Sequence, residues 1–247
     1  MTSPVPLAEA LDAESGLTCV VGAGGKKTTL YALAGGLSDA VVTATVRIPV
    51  FDAEVEEVRV TEDPVAALDA VEGFPAGLVP ERERADRYRG YDPGTVAALA
   101  EVHDGPVLVK ADGARTRWLK APNEREPQIP ASADTVIPVA SARIVGELLS
   151  AERVHRPERV AGVAGCERGD EIRAEDVAAV LASDEGGLKD VPEGATVIPV
   201  VNMVDSPGLE SVGREIAEEV LARAPDSVAR VVLARMVADD PVVEVMA

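Results

Sequence analysis

The chain has 247 residues, is 47% hydrophobic but 2% aromatic, and carries a formal net charge of −19 from 43 acidic and 24 basic residues. That balance suits one α/β domain with an aliphatic core, or two small ones, and no apolar run nears the roughly 20 residues of a membrane helix. The acidity disfavours nucleic-acid binding, which needs a basic face against the phosphates.

In chain order, the opening MTSPVPLAEALDAES has neither the basic start nor the apolar core of a signal segment, so the expected location is the cytoplasm. LTCVVGA (17–23) reads as a strand, followed by the glycine turn GAGGKKTT (22–29) and a helix through LYALAGGL (30–37). DAVVTATVRI (39–48) is a second strand. EDPVAALDAVEG (62–73) and DPGTVAALAEVHDG (92–105) each place a Pro at a helix start and apolar residues at helical spacing. GPVLVKADGA (105–114) is a strand ending in Asp-Gly, and ADTVIPVAS (133–141) is another strand. RAEDVAAVLASDEGGLKD (173–190) is a helix with a glycine stop, and GATVIPVVNMVDSPG (194–208) a strand with a polar end. GLESVGREIAEEVLARAP (208–225) is the clearest amphipathic helix, and VARVVLARM (228–236) follows it as a strand.

Such alternation predicts an α/β fold of three layers, a mostly parallel sheet flanked by helices, over residues 1–247 as a single domain. Residues 111–130, ADGARTRWLKAPNEREPQIP, lack a period and read as a long functional loop. Cys19 and Cys166 read as free thiols. Acidic stretches are dispersed, and only five of the basic residues are lysine. Salt adaptation, with carboxylates keeping the protein soluble at high intracellular salt, fits this better than an acidic face for a basic partner.

Four places carry candidate chemistry. The first is the turn Gly22, Ala23, Gly24 and Gly25. Glycines let backbone N–H groups approach phosphate oxygens, and a following helix adds its positive end. Lys26 or Lys27 adds a mobile cation, and Thr28 or Thr29 a hydroxyl for Mg²⁺. The strict P-loop spacing fails by one residue in either register, and a plain turn with two solvated lysines competes. Two of only five lysines fall here, which favours the phosphate site. The second is Asp112, at the carboxyl end of a strand, where a carboxylate can hold Mg²⁺; an Asp-Gly turn is the alternative. The third is Asn202 with Asp205, spaced to contact a guanine base, although Met203 stands where a lysine usually packs along the ring; a plain strand-to-loop junction is the alternative. The fourth is His155 with Arg156 in VHRPERV, where a neutral imidazole can bind metal or shuttle a proton, or be purely structural.

In order along the chain, VVGAGGKKTTLYALA, VVTATVRI, KADGARTRWLKAPNEREPQIP, VHRPERV, GGLKDVP and VNMVD resemble the YqeC-like family. The resemblance runs from Leu17 to Asp205, and the Asp-Gly-Ala…Leu-Lys-Ala-Pro…Glu-Pro…Ile-Pro series is its most specific part. It implies a P-loop-like nucleotide-binding protein that serves maturation of a molybdenum hydroxylase, or selenium cofactor biosynthesis for a selenium-dependent one. Lys26 then falls on the family lysine, while Lys27 replaces a hydroxyl residue and leaves Thr28 as the nearest metal ligand. Trp118, Arg125 and Met203 depart from the family's usual Pro, His and Lys.

The implied site puts the phosphates of ATP or GTP on Gly22–Lys26 and Mg²⁺ between Thr28 and Asp112. Lys26 and Asp112 are the catalytic candidates, and the base lies near Asn202 and Asp205. Arg47, Lys120, Glu126, His155 and Arg156 face the substrate. The implied partner is a molybdenum hydroxylase or its pterin cofactor. The competing expectation is a non-hydrolysing chaperone that grips a pterin phosphate.

Overall fold

Valine-rich runs bounded by turn residues become the strands of one sheet in the computed structural model, which describes residues 5–247. In chain order these are β1 (Leu17–Gly22), β2 (Val41–Ala44), β3 (Glu57–Val60), β4 (Ala76–Val79) and β5 (Val107–Lys110). They continue with β6 (Thr135–Ser141), β7 (Val200–Asn202), β8 (Val231–Ala234) and β9 (Val242–Met246). Their order across the sheet is β9-β8-β7-β6-β1-β5-β2-β4-β3, with Thr196–Val197 also beside β6. Every pair is parallel except β8 with β9.

The main helices are α1 (Lys26–Gly35), α2 (Pro93–Val102), α3 (Pro157–Ala164), α4 (Ala174–Leu181) and α5 (Pro207–Arg223). The alternation of strand residues sorts them into layers. Val20, Val42, Leu108 and Ile137 pack with Leu30 and Leu33 of α1. Their neighbours Cys19, Val21, Val41 and Val109 pack with Val96 and Leu99 of α2 on the opposite face. Ala140, Val201 and Leu233 meet α3, α4 and α5 in a third cluster. The result is the expected three-layer α/β fold.

Prolines and caps set the helix starts as the sequence suggests. Asp92 accepts from Thr95 N at 3.1 Å ahead of α2, and Ser206 from Leu209 N at 3.3 Å ahead of α5. Elsewhere the expectations shift. The strand with a polar end expected over 194–208 splits at Pro199, which has no N–H to donate, leaving Thr196–Val197 and β7, and ends at Asn202. The helix expected over 62–73 shrinks to Pro64–Leu68. Strand β3 escaped a sequence reading because it is a half-exposed edge strand with charged residues.

The stretch 111–130 is irregular backbone apart from Leu119–Lys120, and part of it is packed into the body of the protein. Leu119–Lys120 pairs in parallel with Val154–His155, and Ala111, Leu119, Lys120 and Ala121 are buried. Both cysteines are free thiols, as expected. Among the described residues, no helix is long and apolar enough to cross a membrane.

The chain leaves β1 toward β2 on one side of the sheet, and from β6 it runs to β7 on the other. Connections diverge where β1 meets β6, and such a point opens a crevice at the carboxyl ends of the strands.

Candidate functional site

The glycine turn sits at that crevice. Gly24 has a φ of +82°, and a Cβ there would lie 2.6 Å from Ser141 N. Gly25 has a φ of +132°, and its Cβ would run into Asn202 Nδ2. Both positions therefore require glycine. Three amides of the turn are already bonded: Gly22 N to Asp112 Oδ2 at 2.9 Å, Ala23 N to Val139 O at 2.8 Å, and Gly24 N to Arg117 O at 2.9 Å. The N–H groups of Gly25, Lys26, Lys27 and Thr28 have no acceptor among the described residues. They are the open donors of the first turn of α1, and they point the positive end of that helix outward. The surface that can receive an anion is thus narrower than the whole turn, and begins at Gly25.

Beneath it lies a buried charge cluster. The Lys26 ammonium folds back onto the Gly22 carbonyl and lies 2.9 Å from Asp112 Oδ1. Lys120 Nζ lies 2.8 Å from Asp112 Oδ2 and 2.7 Å from Glu126 Oε2, and donates to Gly113 O at 2.6 Å. Glu126 is also paired with Arg156 Nη1 at 2.8 Å. Lys110, at the end of β5, donates to the Arg47 carbonyl at 2.8 Å and is 6% exposed. Three of the five lysines are therefore buried in this region with Arg156 and only two carboxylates, and Lys110 pairs with neither of them.

Burial sets the protonation behaviour of the cluster. It lowers Lys26, an effect that Asp112 partly offsets. It brings Lys110 down to about 7, helped by the charge of Lys26. Burial alone would raise Asp112, but the charges of Lys26 and Lys120 outweigh it and hold the carboxyl low. Glu126 behaves the same way, with Lys120 as the main opposing partner. His155 is brought down to about 4 by burial and then by the Arg156 and Lys120 charges, so its imidazole is neutral near pH 7.

Asp112 Oδ1 sits close to Lys26 yet has no well-aligned hydrogen bond. We read the contact as an ion pair, because two charges at 2.9 Å attract regardless of alignment.

Several expected residues take other roles. Asn202 does not offer its amide to a base: Nδ2 donates to Gly24 O at 2.9 Å, and Oδ1 accepts from Met236 N at 3.2 Å. Both ends of the amide are occupied and the residue is buried, so Asn202 clamps the turn. Asp205 is exposed and pairs with Arg143 Nη2 at 2.6 Å. Arg47 points away from the cluster into a bidentate pair with Glu83 at 2.6 Å. Thr29 is buried, with its hydroxyl 3.2 Å from Gly25 O.

A magnesium ion between Thr28 and Asp112 does not fit these residues. Both Asp112 oxygens already face lysines, whose charge would repel a dication, and Thr28 lines a different cleft with Lys27, Tyr31, Ala32, Glu54 and Met236. Among the described residues, no group of three or more His, Cys, Asp or Glu side chains gathers as a metal site. The sequence reading also missed Lys110. Its signal was present: a lysine closing the apolar run PVLV, on the same strand end as Asp112.

The clamp role makes a testable claim. Asn202→Ala is expected to lose about 1–3 kcal/mol of stability, because Gly24 O and Met236 N lose their partner in a dry site. Urea unfolding of the two proteins measures it; an unchanged midpoint would show that the clamp carries no stability.

Comparison with known proteins places the chain among relatives. A family model described as YqeC protein matches residues 18–158. A protein of Escherichia coli (strain K12) with the name "Uncharacterized protein YqeC" is 31% identical over 189 residues, which cover 74% of this chain and 74% of that relative.

Proposed function

This chain belongs to the YqeC family, and from that premise together with the cationic pocket at Lys26 we propose a cytoplasmic nucleotide-binding accessory protein that serves maturation of a molybdenum- or selenium-dependent hydroxylase cofactor. One observation carries the binding half of this reading. In a protein of net charge −19, three of five lysines are buried around a helix start whose first four N–H groups are open. Burying lysines is unfavourable unless their charge is used, and an anion at the open amides would use it. The phosphates of ATP or GTP supply that anion. Gly25–Thr28 bind it through the backbone, and Lys26 turns from the Gly22 carbonyl toward it in the manner of a P-loop lysine.

A second reading, a chaperone that grips a pterin phosphate without hydrolysis, is favoured by the state of Asp112 and its neighbours. Asp112 is held by two lysines, Glu126 by Lys120 and Arg156, and His155 is a weak base. Neither carboxylate of the cluster is free to take a proton from water. Steady nucleotide hydrolysis by the purified protein, lost in Asp112→Ala, would remove this second reading.

The test of the first is ATP and GTP binding to wild type and Lys26→Ala, in high-salt buffer suited to a halophilic composition. Wild type is expected to bind, and the variant to bind at least about 10-fold more weakly through loss of a charge-assisted contact. Equal, negligible binding by both would sink the proposal.

A further inference from the structure

Beside the open helix start lies a cleft of ≈ 380 Å³ lined by Lys27, Thr28, Tyr31, Ala32, Glu54 and Met236. Its lining is unusual for this chain. Aromatic residues are 2% of the sequence, yet Tyr31 stacks on Phe51 with ring centroids 6.2 Å apart and planes at 26°, and Phe51 meets Tyr88 edge-on at 5.6 Å. Half of the six Phe, Tyr and Trp residues thus stand in one row, with the Tyr31 end of the row at the cleft. Across from the helix, the exposed Glu54 carboxylate makes no hydrogen bond or ion pair among the described residues. Its own backbone N–H is tied to Phe51 O at 2.9 Å, which fixes the turn that carries it. Met236 is held from behind by Asn202, the same side chain that clamps Gly24.

A free carboxylate this close to an anion site would weaken phosphate binding by repulsion. It gains a purpose if the organic part of the ligand presents hydrogen-bond donors to it. A carboxylate accepts through two oxygens, so it pairs best with two adjacent donors, a ring N–H beside an amino group. Tyr31 and Met236 supply the stacking and sulfur contacts that a flat ring favours.

We infer that this cleft holds the heterocycle of the phosphorylated ligand, and that Glu54 selects a ring with the 2-amino-4-oxopyrimidine edge, as in guanine or a pterin, over adenine. The inference rests on the phosphate reading above and deepens it. It also moves the base from Asn202 and Asp205 to the face of α1 formed by Thr28 and Tyr31. The phosphates lie on the Gly25–Thr28 amides and the ring lies one helical turn further along.

Isothermal titration with tripolyphosphate, GDP, ADP and 6-hydroxymethylpterin diphosphate tests it. Wild type is expected to bind GDP or the pterin diphosphate about 10–100-fold more tightly than ADP, the worth of hydrogen bonds to a charged group. Whichever of the two binds more tightly identifies the source of the edge. Glu54→Gln replaces one acceptor oxygen by a donor, and should bring the preference over ADP to within about threefold. Tyr31→Leu should weaken all ring-bearing ligands together. Equal binding of GDP, ADP and the pterin diphosphate, with tripolyphosphate still bound, overturns the inference and leaves the phosphate site standing. So does a preference unchanged in Glu54→Gln. Failure of every probe, tripolyphosphate included, overturns the phosphate reading and this inference with it.

Discussion

Asp112→Ala is expected to lower the unfolding free energy by about 3–5 kcal/mol, the usual result of removing one partner from a buried ion pair. The reason lies in what the substitution leaves behind. Lys26 and Lys120 are 6% and 3% exposed, and each lies within 2.9 Å of an Asp112 oxygen. Without the carboxylate, two ammonium groups face each other in a dry site, and Gly22 N loses its acceptor. They must then shed protons, draw in water or separate, and each course costs stability. Urea denaturation gives the loss directly. The double variant Lys26→Met with Asp112→Leu separates the parts: removing both charges should recover much of the loss, because a buried pair contributes little over apolar residues of similar size. A single variant as stable as wild type would mean that the carboxylate does not hold the cluster together.

The second large effect is a pH dependence centred on Lys110. Its folded-state value is lowered to about 7 from an ordinary 10.5, mainly by burial. Between those values the unfolded chain binds more protons than the folded one, so stability rises with pH. The destabilisation is fully present below about pH 7 and is relieved as pH climbs toward 10.5, at up to about 1.4 kcal/mol per pH unit from this group. Lys110→Met should flatten that rise while raising stability at pH 6, and chemical denaturation across pH 6–10 measures both. In the proposed binding mode the same group would link anion binding to protons. A phosphate beside Lys110 favours its charged form, so binding near pH 7.5 should take up a proton, and affinity should fall at higher pH. Calorimetry in two buffers of different ionisation enthalpy reads the uptake; Lys110→Met should abolish it.

How the site could be read in advance differs residue by residue. The turn was legible because glycines, lysines and a helix start are adjacent in sequence, and backbone conformation is a local property. Lys26 was legible as a lysine of the glycine turn, and Asp112 because it follows a recognisable apolar run. Lys120 and Glu126 could be singled out only by resemblance, since the segment around them has no period, whereas Arg156 stood out only as the neighbour of His155. Their meeting depends on a short parallel pairing of Leu119–Lys120 with Val154–His155. Lys110 was overlooked because a single lysine at a strand end looks like an ordinary solvated terminus, and only the burial of its neighbours makes it unusual. Asn202 was misjudged for the opposite reason. Its spacing to Asp205 suits base recognition, but amide partners are chosen by tertiary contact, and Gly24 lies 178 residues away. The fold was more open to reading than the site, because strand and helix periods repeat along the chain while a clamp occurs once.

The bracing of the turn has a consequence for how the protein is made. Gly24 and Ala23 are fixed by Arg117, Val139 and Asn202, and Asn202 is itself fixed by Met236. During synthesis the glycines emerge long before Asn202 and Met236, the last of their supports. No nascent fragment that stops short of Met236 has a finished pocket, however well its first strands have formed. Ligand capture would then mark assembly of the sheet as far as β8: in the proposed role, a phosphate-bearing ligand would be held only by molecules that have placed Asn202 and Met236, and a chain cut before them would go unloaded.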